Sequence, residues 1–306
     1  MRILAIGGAG FIGRQVVGRL VAQGHVVHVP TRQFQHGREL LVHPTVTVMQ
    51  ADIHDDATLD RLVAGCDLVL NFVGILHSRE GQPYGPDFDR AHVQLPRRIA
   101  QACRVHQVKR FIHLSALGAD AKAPSGYLRS KAAGEEAIRN AYSGAQTGDF
   151  TIFRPSVVFG PEDKFMNMFA QLARFFFVLP IAGAGAKMQP VYVGDVASAV
   201  MNVLTLPAAA NHTYDLAGPR AYTLGELVEL AALWSGHPRV VVELPMALGR
   251  LQARLFECLP GEPLMSRDNL LSLSVDNVST EPMAAVLNLV ATPLESVAPI
   301  YLKPAT

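Results

Sequence analysis

The chain has 306 residues, 49% hydrophobic and 17% charged, with a formal net charge of +1. That length supports a sizeable core in one large or two smaller domains, and the near-neutral balance excludes the basic footprint of a nucleic-acid binder. The cysteines Cys66, Cys103 and Cys258 are widely spaced and odd in number, so they fit neither a disulfide framework nor a metal site. They point to packing roles in a reducing, cytoplasmic setting.

The first apolar run, Ile3-Leu4-Ala5-Ile6, follows Met1-Arg2 directly, which predicts a strand over Arg2–Ile6 with no leader ahead of it. It breaks into Gly7-Gly8-Ala9-Gly10-Phe11-Ile12-Gly13, with glycine at the first, fourth and seventh positions of a strand-to-helix turn. Gly7 permits the tight turn, Gly10 has no Cβ to hold the backbone away from a pyrophosphate, and Gly13 lets the helix pack on its strand. Phe11 and Ile12 open that helix, so their amides face the same anion. The helix is expected to end near Gln23, with Gly24 as its C-terminal stop.

Further strands are expected at Val26–Pro30, Val46–Gln50, Leu68–Phe72, Arg110–Leu114 and Thr151–Arg154. Helical patterns alternate with them at Asp56–Ala64, Phe88–His106 and Tyr127–Tyr142. This alternation predicts βαβ units and a parallel sheet whose ligand edge lies at the strands' carboxyl ends. The second strand ends Val29-Pro30-Thr31-Arg32, with no carboxylate where NAD enzymes place one about 20 residues beyond the glycines. Arg32 instead offers a fork for a 2′-phosphate, favouring NADP(H) over NAD(H). Asp52-Ile53 follows the third strand, where the carboxylate can accept from an adenine amino group. Asn71-Phe72-Val73-Gly74 follows the fourth, and its small residues let the backbone run beside a cofactor.

Tyr127 and Lys131 stand at i, i+4 on one helical face. A neighbouring ammonium favours phenolate and is expected to lower the tyrosine pKa, suiting Tyr127 to exchange a proton with a carbonyl or alcohol. Ser115, just after the strand His113-Leu114, can bond a substrate oxygen and orient the tyrosine.

After Arg154-Pro155 the pattern changes. A Phe/Met-rich helix over Phe165–Phe177 is expected to be core, to wall an apolar pocket or to face a partner or membrane. The apolar stretch from Phe175 to Ala186 contains Pro180 and is too short to span a bilayer, which needs about 20 residues. A strand near Gln189–Val193, a helix over Asp195–Leu204, a turn-rich segment from Pro207 to Arg220, a helix near Thr223–Ser235 and a strand near Arg239–Leu244 follow. The 11 histidines form no H-x-x-x-H or H-E-x-x-H pattern, so no metal site is expected.

Gly7/Gly10/Gly13, Ser115, Tyr127 and Lys131 together resemble the short-chain dehydrogenase/reductase superfamily in its extended, NAD-dependent epimerase/dehydratase-like form. Arg154-Pro155, Phe159-Gly160-Pro161 and Val191-Tyr192-Val193-Gly194-Asp195 add to the likeness. His113-Leu114-Ser115-Ala116-Leu117-Gly118-Ala119, Tyr127-Leu128-Arg129-Ser130-Lys131 and Asp276-Asn277-Val278 are similar to the atypical branch that holds the nucleotide-binding accessory subunit of respiratory complex I.

The resemblance implies a Rossmann doubly wound parallel sheet over residues 1–155, with 189–205 returning to it. Residues 156–188 and 206–306 would form a smaller mixed α/β region on the substrate or partner side. It also implies a bound dinucleotide touched by Gly7, Gly10, Gly13, Arg32, Asp52, Tyr127, Lys131 and Arg154. Where sugar-nucleotide enzymes of this form carry a second hydroxyl beside the serine, this chain has Ala116 and Leu117. Three readings stay open. One is an oxidoreductase acting on an apolar, quinone- or lipid-like substrate. Another is a cofactor-holding accessory subunit or assembly factor of a respiratory complex, peripheral to the inner membrane. The third is a redox sensor of the NADP⁺/NADPH ratio, which needs different affinities for the two forms.

Overall fold

A computed structural model describes residues 1–144, 146–258, 261, 263–281 and 283–303. Its centre is a seven-stranded, wholly parallel sheet. The strands are β1 (Arg2–Ile6), β2 (Val26–Thr31), β3 (Val46–Gln50), β4 (Leu68–Asn71), β5 (Arg110–Leu114), β6 (Asp149–Pro155) and a seventh, His212–Leu216. Their spatial order is β3-β2-β1-β4-β5-β6 and then His212–Leu216, the doubly wound order in which the direction of winding reverses between β1 and β4. The turn-rich composition of 207–220 does not predict the seventh strand. It forms because β6 offers it a free edge, with Tyr214 opposite Phe153.

Both sheet faces are covered, so the strands read as near-continuous apolar runs. In β1, Ile3 and Ala5 point to the face carrying α1 (Phe11–Ala22) and the Val193–Val203 helix. Leu4 and Ile6 point to the other, where α2 (Asp56–Val63) and the helices Leu95–Val105 and Gly126–Tyr142 pack. A third apolar cluster lies outside the sheet, built from Phe159, Met166, Phe169, Leu179, Leu227 and neighbours.

Two expected helices are altered by identifiable causes. The Phe88–His106 pattern starts at Pro86 and passes through a π segment, Asp89–Gln94, before Leu95–Val105. Pro96 has no N–H to give the carbonyl of His92, four residues earlier, so the regular ladder fails there. The Gly126–Tyr142 helix packs onto that carbonyl, where a Cβ on Gly134 would stand 1.9 Å from the His92 oxygen. The Phe/Met helix stops at Phe175 rather than Phe177. Beyond it Val178–Ala182 becomes a strand in parallel register with Val240–Leu244. The helix buries Met166, Phe169, Ala170 and Ala173, and leaves Phe175 exposed.

Candidate functional site: a dinucleotide cradle beside a Tyr-Lys helix

The carboxyl ends of β1 and β4 meet at the point where the winding reverses. Gly7 sits there at φ +77°, and a Cβ on it would stand 3.1 Å from the Phe72 carbonyl carbon and the Val73 nitrogen. Only glycine combines that dihedral with that approach. Gly13 is more tightly held, with an added Cβ 2.4 Å from the Gly7 oxygen and 2.6 Å from Gly8 Cα. Gly10 is exposed and heads α1 with no side chain capping it and no acidic residue in the first turn. The result is an uncapped, twelve-residue helix N-terminus above a glycine cradle, the arrangement that accepts a pyrophosphate. Phe11 and Ile12 are half-buried, and the Phe11 ring lies against Gly160, whose added Cβ would stand 3.3 Å from Phe11 Cζ.

Along the same edge, Arg32 is exposed at the end of β2 and Asp52 is exposed beyond β3. Asp52 Oδ1 accepts from the His54 amide at 2.9 Å, so one of its oxygens shapes its own turn, and Ile53 packs into the core beneath. Burial lowers the pKa of His54, and the guanidinium groups of Arg90, Arg98 and Arg32 lower it further against the opposing pull of Asp52. Three guanidinium groups thus stand around His54, with Asp52 among them and Arg98 paired to Asp56.

Lys131 is 3% exposed, and its Nζ donates to the Leu114 carbonyl at 3.2 Å. A Cβ on Gly74 would lie 3.4 Å from the same Nζ. The β4 loop, the end of β5 and the Gly126–Tyr142 helix thus converge on one ammonium. Burial depresses its pKa from 10.5 to about 8, partly offset by Glu135. Tyr127 lies one turn earlier, its ring centroid 6.0 Å from Lys131 Nζ. Its pKa is pushed up from 10.0 to about 12. The expectation of a lowered value is corrected here: desolvation of the phenol outweighs an ammonium six ångströms away that is already bonded to a carbonyl.

Ser115 is 4% exposed, and its hydroxyl donates to Glu135 Oε1 at 2.6 Å rather than to Tyr127. Glu135, fully buried, also receives Arg154 Nε at 2.7 Å and Nη2 at 2.6 Å, and Arg139 Nη2 at 2.7 Å. Arg154 therefore holds a carboxylate with both faces of its fork. Asn71 is buried as well, its Oδ1 accepting from the Val73 amide and its Nδ2 donating to His113 Nδ1. Its side chain shapes the β4 loop, and it is the backbone of that loop that lies beside Lys131.

Four residues outside the expected set hold the site together. Glu135 continues the Tyr127–Lys131 face by one more turn, a spacing visible in the sequence. His92 Nε2 accepts from the Ile75 amide at 3.1 Å, which makes Nδ1 the protonated nitrogen donating to Ser130 Oγ at 2.9 Å. Its ring packs edge-on to Tyr127, centroids 5.5 Å apart, and burial holds its pKa well below 6.5. This neutral histidine ties the β4 loop to the Tyr127 helix. Asp268 caps that helix from 141 residues away, accepting from Gly126 N at 2.6 Å and Tyr127 N at 2.9 Å. Asn277 donates to the Leu117 carbonyl at 3.1 Å and accepts from Ser156 Oγ at 2.5 Å.

Glycine cradle, switch point and Tyr-Lys helix define a class, and the chain belongs to it: the profile of the NAD dependent epimerase/dehydratase family matches residues 3–217. Among individual proteins, the chain is 33% identical over 297 residues to mouse NADH dehydrogenase [ubiquinone] 1 alpha subcomplex subunit 9, mitochondrial, covering 94% of this chain and 76% of that one. It is 30% identical over 251 residues to a ceramide reductase of Caulobacter vibrioides, covering 79% and 74%. In three dimensions it is similar to Pal from Bacillus thuringiensis, with a TM-score of 0.78, 18% identity and coverage of 99% and 97%. Among the described residues no helix is long and apolar enough to cross a membrane.

Proposed function

We propose that this protein binds NADP(H) along the carboxyl edge of the sheet and acts as an oxidoreductase on an apolar carbonyl or alcohol, quinone- or lipid-like. The convergence of Gly74, Leu114 and Tyr127 on the buried Lys131 ammonium carries this reading. Gly7, Gly10 and Gly13 with the α1 amides would hold the pyrophosphate, Asp52 the adenine side, and the exposed Arg32 the 2′-phosphate. Lys131, beside the β4 loop, would hold the nicotinamide ribose. When bound, the nicotinamide supplies or accepts a hydride.

The chain's own part is proton handling. Tyr127, with a pKa of about 12, is protonated at neutral pH and donates its hydroxyl proton to a carbonyl oxygen in the reducing direction. The Lys131 ammonium then stabilises the phenolate electrostatically. Ser115, its own proton turned to Glu135, presents lone pairs and so accepts from a hydroxyl in the oxidising direction.

Turnover of NADPH with a panel of long-chain ketones and quinones tests this. Tyr127→Phe is expected to lower kcat by about 10²–10⁴-fold with NADPH affinity retained; full turnover in that variant refutes the mechanism. Arg32→Asp is expected to reverse the NADPH-over-NADH preference in a binding titration, and an unchanged ratio removes Arg32 from the 2′-phosphate site.

A second reading is a cofactor-holding subunit of a respiratory complex at a membrane surface. It is supported by the extent of the likeness to the mouse subunit and by the raised Tyr127 pKa. Native mass spectrometry separates the two: a free protein that turns over excludes the subunit reading, and a stoichiometric complex with respiratory subunits excludes the free enzyme.

A further inference from the structure

The outer face of the small Val178–Ala182/Val240–Leu244 sheet is only partly covered. Leu179 faces the third apolar cluster, so Val178, Pro180 and Ala182 point the other way. At one end of that outer face the Met246–Glu257 helix packs through Gly249 and Ala253, an added Cβ on Gly249 standing 2.3 Å from Ala182 Cβ. The rest is open: Val178, Val240 and Val242 are exposed, and Phe175 and Phe177 beside them are each 79% exposed.

The helix repeats the pattern. Leu248, Leu251 and Leu255, spaced i, i+3, i+7, form a second apolar stripe opposite the buried Gly249/Ala253 side, with Leu251 at 57% and Leu255 at 62% exposure. A helix buried on one side and leucine-striped on the other has a second apolar medium to meet.

Charge selects that medium. Arg250 and Arg254 flank the leucine stripe, both exposed and neither in an ion pair among the described residues. Arg174 is exposed one residue before Phe175, and the Arg239 guanidinium lies over the Phe177 ring at 4.9 Å. Glu243 is exposed between them, Glu257 at the end of the leucine-striped helix is held by Arg267, and Glu226 and Glu229 share a groove with Arg239. Arg174, Arg250 and Arg254, none of them ion-paired among the described residues, outnumber the unpaired Glu243 where apolar surface is exposed. Leucine and phenylalanine rimmed by arginine match an acyl boundary under anionic headgroups.

We infer that this face, the leucine stripe of Met246–Glu257 with Phe175–Phe177 and the outer strand surface, docks on an anionic lipid bilayer. The docking helix also touches the site's surroundings, because Ala253 and Leu270 share a cluster and Leu270 sits on the helix whose Asp268 caps the Tyr127 helix. The inference does not depend on turnover.

Vesicle flotation of the full chain tests it, with phosphatidylcholine alone and with phosphatidylcholine containing phosphatidylglycerol. Co-flotation is expected with the anionic vesicles and is expected to weaken with salt. At about fivefold per arginine, Arg250→Gln with Arg254→Gln lowers partitioning by about 25-fold. Leu251→Ser with Leu255→Ser, both at exposed positions and checked for an unchanged melting curve, abolishes it. No flotation on anionic vesicles overturns the inference, as does flotation unaffected by both variants. A solution dimer that Leu251→Ser with Leu255→Ser dissociates, without lipid binding, assigns the face to a second copy instead.

Discussion

Glu135 offers the sharpest test of how the site is held. Glu135→Ala removes a fully buried carboxylate that receives Ser115, both donors of Arg154 and one of Arg139. Breaking a buried pair by deleting one partner costs about 3–5 kcal/mol. The Arg154 side chain is 28% exposed and regains some water, which places the expected loss near 3 kcal/mol. Against a typical total of about 5–15 kcal/mol this is a large fraction. With a urea slope of about 3 kcal/mol/M, the midpoint falls by about 1 M. Urea unfolding followed by far-ultraviolet circular dichroism and Trp234 fluorescence reads it. Arg154→Leu alone leaves the carboxylate with its two other donors, and the double variant removes charge from both sides at once. The double variant is therefore expected to lose at least about 1.5 kcal/mol less than the sum of the singles. A midpoint shift under about 0.3 M for Glu135→Ala, or strict additivity in the cycle, refutes the argument that this buried charge network supports the site.

Two further outcomes follow from the same geometry. Gly13→Ala places a methyl 2.4 Å from the Gly7 oxygen and 2.6 Å from Gly8 Cα, backbone atoms that cannot yield without opening the turn. The expected result is a loss of about 1–3 kcal/mol together with loss of the rise in Tm that a bound dinucleotide gives; a wild-type rise removes the cradle from the binding argument. Lys131→Met relieves the burial of an ammonium whose native pKa is about 8 against an ordinary 10.5. Because the native value is the lower one, the penalty is complete below pH 8 and fades as pH rises through 8 toward 10.5. The variant's stability advantage is therefore expected to be largest, up to about 3 kcal/mol, at neutral pH and to shrink above pH 8. A pH-independent difference shows that Lys131 is not buried as a cation.

Local chemistry made much of this protein legible in one dimension. The β1 run and the glycine spacing that follows it can form little else, because glycine's freedom at Gly7 and its lack of Cβ at Gly13 are properties of single residues. The βαβ alternation is likewise readable, since a buried parallel strand and an amphipathic helix have different periods. Tyr127, Lys131 and Glu135 share a face by helical spacing alone.

The electrostatics and the ties between distant segments were decided only by the tertiary structure. Spacing brings Lys131 near Tyr127, but the pKa of a phenol depends on how much water the fold leaves around it, and here burial raises the value. The Ser115 hydroxyl chooses its partner by what lies within reach, and a carboxylate two turns beyond Tyr127 takes it. Asp268 capping the Tyr127 helix, His92 holding the β4 loop and His212–Leu216 completing the sheet all join segments far apart in sequence. Such contacts have no local signature, because the desolvation and hydrogen-bond geometry that favour them exist only once the chain has packed.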